Sequence, residues 1–261
     1  KLINGTYGTK KGNEVLVYLS NAFRYYVKNG LLTRYEGDQL LGLFHSKVKM
    51  DVERINRNIN KIAEEAPIPN IRIKVGIYED IDTSLSIPII CDRALMAEKS
   101  ISKDFKTNVA FYTDEMNQKQ LAQRQMENDF KSAIANREFK VYYQPKYDVN
   151  TENIVGAEAL VRWQKPDGTL ISPGAFIPLF ESDGLVVHLD EYVFENVCQF
   201  QKERMENKLE IVPISVNLSR ASIHFSDVVE RYVDIVNQKQ IPFECVPIEL
   251  TESATLYSEK I

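Results

Sequence analysis

The chain has 261 residues, of which 44% are hydrophobic and 26% charged, and its formal net charge is -5. This is ordinary globular composition with room for two domains or one large barrel, and it excludes global disorder. No basic stripe argues for a long nucleic acid as partner, and no run reaches the ~18 apolar residues of a membrane span. The cysteines Cys91, Cys198 and Cys245 are far apart and odd in number, without CxxC spacing. A zinc site or disulfide framework is not expected, and a reducing, cytoplasmic compartment is. The opening KLINGTYGTKKG lacks the apolar core of a signal peptide and starts without Met, so the chain reads as a piece of something longer.

The spacing of Val15, Leu16, Leu19, Ala22, Phe23 and Tyr26 predicts a helix over 13–29, ended by a left-handed Gly30. LLTRYEGDQLLGLF predicts a hairpin around a tight EGD turn. Residues 50–65 follow as a charged helix with Val52, Ile55, Ile59 and Ile62 as its apolar stripe. The alternation of IRIKVGIYE (71–79) predicts a half-buried strand, 88–99 a helix, and 108–112 a last strand. These elements make an α+β unit over 1–113.

A second unit, 114–261, starts with a long polar helix over about 115–136. Strands are expected at 140–149 and 154–163, with a turn at Asp167-Gly168. Ser172 and Pro173 predict a helix start. A helix over 189–206, a strand over 212–219 and a helix over 226–240 follow, the last with Val229, Tyr232, Val233 and Val236 inward; 246–253 is a strand again. Alternating strands and helices predict parallel βα units, in a barrel or a doubly wound sheet. No glycine-rich phosphate loop follows any of these strands, which weakens a dinucleotide-binding reading.

Three of these strands carry a polar residue among apolar ones: Glu158 in EALVRW, Asn217 in ISVNLS, Glu249 in PIELTE. A buried carboxylate costs several kcal/mol unless it is paired or bound to metal. Each residue falls near the C-terminal end of its strand, where a βα barrel builds its site. Two carboxylates and an amide oxygen suit a hard cation such as Mg²⁺ or Mn²⁺. The plainer reading of any one of them is a salt-bridged rim residue. Gln144 could simply bond backbone, Arg162 could be a surface ion-pair partner, and Trp163 reads as packing. His45, His188 and His224 have no ligand spacing, and no Ser-His-Asp or Cys-His arrangement can be drawn.

YYQPKYD, AEALVRW, SPGAFIPLFE, ISVNLSR and IELTES, in this order, resemble the EAL domains of bacterial cyclic di-GMP signalling over about 117–261. The resemblance implies a (β/α)8 TIM-barrel-type fold that hydrolyses cyclic di-GMP to linear pGpG with Mg²⁺ or Mn²⁺. It implies Glu158, Asn217 and Glu249 as metal ligands, Gln144, Leu160 and Arg162 as substrate-facing residues, and Glu252 as support for an active-site loop. It also implies a homodimer through the EAL domain. The family's Asp pair, catalytic Lys and general-base Glu would lie beyond Ile261, so about half of the barrel and no identified catalytic base are expected in this chain, which alone should not turn over substrate.

The first unit resembles a GGDEF domain, the fold of diguanylate cyclases. INGTYGTKKGNEVL matches the family's helix start, and RYEGDQL occupies the place of its signature hairpin. The signature is degenerate: Glu36, Gly37, Asp38, Gln39, Leu40. Glu36 adds bulk and negative charge where glycine would let backbone approach phosphate. Asn13 stands in place of an Asp that reads guanine, although Asn4 is kept, and Val27-Lys28-Asn29-Gly30 lacks the RxxD inhibitory site. The resemblance therefore implies a GGDEF–EAL tandem with a cyclase-dead first domain, left as a weak GTP site or a scaffold. A non-catalytic cyclic di-GMP receptor and a ligand-free scaffold stay open as alternatives; intact Glu158, Asn217 and Glu249 argue against the scaffold.

Overall fold

The structure is a computed structural model that describes residues 2–27, 29–46, 50–101 and 107–250. The chain divides into two units, Lys1–Gln120 and Leu121–Ile261.

In the first unit, helix α1 (Leu2–Tyr26) is kinked at Gly8, where φ 80° and ψ 160° suit only glycine. The left-handed residue after the helix is Asn29 (φ 61°), not Gly30 as the sequence suggests. Gly30 is required for space instead: a Cβ there would lie 2.2 Å from the Leu43 carbonyl oxygen. Strands β1 (Leu31–Arg34) and β2 (Leu40–Leu43) form the expected antiparallel hairpin. Gly37 turns it with φ 52°, and its carbonyl accepts Arg34 Nε at 2.8 Å. Helix α2 (Val52–Glu64) is capped by the Asp51 carboxylate, which accepts the Glu53 N–H. Its Ile59 and Ile62 are buried, whereas Val52, in the first turn, is exposed.

Strand β3 (Val75–Ile77), helix α3 (Ile87–Ser100) and strand β4 (Val109–Phe111) complete a parallel βαβ pair. The alternating 71–79 segment gives only three residues to the ladder, because β4 offers only three partners. Among the described residues the unit's strands thus form two separate pairs. Gly76 lies under α3, where a Cβ would meet backbone at 2.0 Å (Ala94 O) and 2.3 Å (Glu98 N). Gly76→Ala is expected to push α3 off the strand pair at a cost of about 1–3 kcal/mol. A lowered thermal midpoint by circular dichroism checks this, and an unchanged one refutes the close packing.

Helix α4 (Asp114–Ala135) leads into the second unit and buries Phe130 and Ala133 there. Strands β5 (Phe139–Tyr147) and β6 (Ile154–Gln164) pair antiparallel, not as a parallel βα unit. The reason is the short connection. Asp148 accepts from the N–H groups of Asn150 and Thr151 and closes a tight turn, which leaves no room for a crossover helix. Strand β7 (Leu170–Ile171), absent from the sequence reading, adds a short antiparallel piece to β6. It follows the Asp167-Gly168 turn, in which Gly168 takes φ 88°.

Helices α5 (Pro173–Asp183) and α6 (Val186–Glu206) precede strand β8 (Ile214–Leu218), which joins β6 in parallel. Ser172 caps α5 by position, without a side-chain bond, and Pro173 opens its first turn. The four-residue helix α7 (Arg220–Ile223), helix α8 (Val228–Lys239) and strand β9 (Ile248–Leu250) follow, with β9 parallel to β8. On α8 the buried residues are Val228, Tyr232, Ile235 and Val236, while Val229 and Val233 face outward. Both sets have helical spacing and share Tyr232 and Val236; the burial of Val228 and Ile235 in the core selects the first. The sheet runs β5-β6-β8-β9 with β7 on β6. It is an α/β arrangement, and among the described residues it does not close into a barrel.

The core lies on one face of this sheet. Ala157, Ala159, Trp163, Ile214, Val216 and Leu218 pack there with Phe176, Phe180, Val193, Val197 and Val236 from the helices. Trp163 and Phe139 are fully buried among Phe130, Phe176 and Phe180, so Trp163 is packing, as its setting in the sequence suggests. No helix of the described residues is long and apolar enough to cross a membrane.

Candidate active site

The second face of the sheet carries the polar residues. Side chains alternate along a strand, and residues in register share a face. Gln144 is opposite Glu158, Glu158 is opposite Ser215, and Asn217 is opposite Glu249. Leu160 and Arg162 follow Glu158 at two-residue steps. Gln144, Glu158, Leu160, Arg162, Asn217 and Glu249 therefore lie on one face across four strands. Glu252 lies outside the described residues.

Contacts are more selective than the shared face. Asn217 Nδ2 donates to Glu158 Oε1 at 2.6 Å. Glu249 does not join that bond; its Oε1 accepts from Lys146 Nζ at 2.6 Å. The hydrogen bond to Lys146, then one to Ser215, hold the Glu249 carboxyl below the ordinary glutamate range. Arg162 Nη1 donates to its neighbour's carbonyl, Val161 O, at 2.8 Å. Glu158, Leu160, Arg162, Asn217 and Glu249 are half-buried, and Gln144 is exposed.

Among the described residues no three His, Cys, Asp or Glu side chains gather at one point. The candidate donors are instead two carboxylates and an amide from three adjacent strands. All can offer oxygen, and Glu158 and Asn217 already touch; by its chemistry this is a donor set that a hard divalent cation prefers.

Two features escaped the sequence reading. Lys146 and Ser215 stand on the same face, two residues from Gln144 and from Asn217, and the period-two alternation would have found both. Asp190, on α6, is buried and accepts from Ser219 N at 2.9 Å and Ser222 Oγ at 2.7 Å. Burial raises its carboxyl pKa, while the serine bonds act against that rise. These bonds fix the turn that follows β8 and so hold the strand end carrying Asn217. A lone Asp in a helical stripe gives no sequence signal for this.

In the first unit a shallow pocket of about 260 Å³ lies between α1 and the hairpin. Asn13, Asn21, Arg34 and Leu40 line part of it. It brings Asn13 of α1 beside Leu40, the first residue of β2. Glu36 and Gln39 close the hairpin turn by a backbone bond of 2.7 Å. The Asn4 side chain lies outside the described residues.

Several known proteins are similar over almost the whole chain. The Bacillus subtilis signaling protein YkoW is 25% identical over 98% of this chain and 33% of its own length. The Pseudomonas aeruginosa bifunctional diguanylate cyclase/cyclic di-GMP phosphodiesterase MucR is 26% identical over 98% and 38%. The Escherichia coli cyclic di-GMP phosphodiesterase PdeR is 25% identical over 100% and 40%. The chain thus spans about a third to two-fifths of these relatives. Among solved structures, a Vibrio cholerae LapD S helix-GGDEF-EAL structure matches 99% of this chain and 62% of its own, with TM-score 0.52 and 17% identity, a likeness of fold alone. A c-di-GMP complex of the PaMucR phosphodiesterase matches 52% of this chain and 55% of its own, with TM-score 0.48 and 29% identity. The EAL domain profile covers residues 127–260, from the end of α4 through β9 and beyond. By that match over half of its length, the chain belongs to the EAL domain family.

Proposed function

We propose that this chain is the GGDEF–EAL part of a bacterial cyclic di-GMP phosphodiesterase, with 1–113 a degenerate, cyclase-dead GGDEF domain and 114–261 part of a TIM-barrel-type EAL domain. The observation that carries the reading is the single sheet face on which Gln144, Glu158, Leu160, Arg162, Asn217 and Glu249 come together. A hydrolase for a doubly anionic dinucleotide needs cation ligands and a phosphate-facing guanidinium on one surface, and this face offers both. The named activities of MucR and PdeR support the same reading.

In this proposal Glu158, Asn217 and Glu249 hold Mg²⁺ or Mn²⁺. The metal supplies charge neutralisation and an activated water for attack at phosphorus. Arg162 faces a phosphate, Gln144 offers an amide at the rim, and Leu160 packs a flat apolar surface against the ligand. Glu252 supports a neighbouring loop. The partners follow from the same reading: cyclic di-GMP as substrate, weak GTP binding at the α1–hairpin pocket, and a second copy through the EAL domain, in the bacterial cytoplasm.

The test is incubation with cyclic di-GMP and Mn²⁺, with and without EDTA, followed by chromatography. It is run on the 261-residue chain and on the complete reading frame that contains it. Metal-dependent linear product from the complete frame is expected, and none from the chain alone. Retention of cyclic di-GMP without product from either would replace the enzyme by a receptor. GTP in a parallel reaction should give no cyclic di-GMP; any such product overturns the cyclase-dead assignment.

A further inference from the structure

Lys146 has no role in the reading above, yet it stands among the candidate metal ligands. Its ammonium lies 2.6 Å from Glu249 Oε1 and 3.0 Å from Ser215 Oγ. Lys146 belongs to β5, and Glu249 to β9, at the far side of the sheet. To make this bond the lysine stem has to lie over β6 and β8. The residue opposite it on β6 is Gly156, which has no side chain. A Cβ at 156 would lie 4.0 Å from Lys146 Cδ and 3.1 Å from the Pro213 carbonyl oxygen. The tight neighbour at 156 is thus the Pro213 carbonyl, while the lysine stem passes over this position at ordinary contact distance. On β8 its path is floored by Ser215, a small buried residue that accepts from the ammonium and is anchored to Ala157 O at 3.3 Å.

An ammonium and a divalent cation are alternatives for one carboxylate oxygen. Both are drawn by the same charge, and each repels the other at short range. We propose that Lys146 is a displaceable internal cation. It holds Glu249 in place across the sheet when no metal is bound, and it competes with the metal for that carboxylate, so that it sets the metal affinity of the site. The inference rests on Glu158, Asn217 and Glu249 being the metal set.

Mn²⁺ binding to the purified chain, measured by calorimetry without substrate, tests it. Lys146→Met is expected to bind Mn²⁺ roughly twofold to fivefold more tightly than the parent, the range that loss of a half-exposed competing charge gives. Lys146→Gln, which keeps a hydrogen-bond donor without the charge, should tighten binding likewise and serves if the Met variant does not fold. Lys146→Arg keeps the competing charge and should bind no more tightly than the parent. Glu158→Gln separates this inference from the reading beneath it. If Glu158→Gln weakens Mn²⁺ binding while both neutral variants at 146 bind as the parent does, or more weakly, Lys146 does not compete and the proposal fails alone. If Glu158→Gln binds as the parent does, the metal set itself is wrong and both fall.

Discussion

Glu158→Ala is expected to lower metal-dependent hydrolysis of cyclic di-GMP by roughly 10³-fold in the complete reading frame, since a bound metal supplies several kcal/mol of charge stabilisation at a reacting phosphate. The expected loss falls on turnover because Glu158 is doubly placed. It is one of two carboxylates in the proposed set, and it also holds the Asn217 amide at 2.6 Å. Removing it frees a second ligand at the same time. The fold should tolerate the change, because Glu158 lies on the polar face and is only half-buried. Steady-state rates together with thermal melting check both halves of the statement. A variant that melts like its parent and keeps its rate would falsify the ligand assignment.

Trp163→Ala should have the largest effect on stability, about 3–5 kcal/mol. The indole is fully buried, with ring centroids 4.9 Å from Phe139, 5.8 Å from Phe176 and 5.9 Å from Phe180. Its Nε1 donates to Glu138 Oε2 at 2.9 Å. Truncation leaves a cavity among rings held by two different elements, β5 and α5, and strips a buried carboxylate of its donor. Lys165 loses the ring it covers at 4.2 Å as well. Urea denaturation followed by circular dichroism measures the loss, with Trp163→Phe as the milder control. A loss under about 1 kcal/mol would mean that the cluster relaxes around the gap.

Much of the fold was legible because local rules and tertiary packing agreed. The hairpin at 31–43 follows from its turn residues, α2 from its stripe and the Asp51 cap, and β6 from alternation. The errors fall where several answers satisfy the local rule. Two apolar stripes on α8 have the same spacing, and only burial in the assembled core selects Val228 and Ile235 over Val229 and Val233. Alternation marks 71–79 as a strand but cannot set its length, which depends on the three residues β4 supplies. The antiparallel β5–β6 pair was concealed by an expectation of parallel units, although its short Asp148 turn was readable.

For the site, the residues alone gave the expectation of a cation-binding face. Oxygen donors at strand positions, an arginine two steps further along, and the order of the motifs pointed to the EAL family. What they could not determine was which donors touch, because cross-strand register depends on how distant segments pair. Glu158 meets Asn217 across 59 positions, and Lys146 meets Glu249 across 103. Each strand carries its own alternation, but only the assembled sheet aligns them, and only that alignment brings Lys146 to a carboxylate two strands beyond its neighbour.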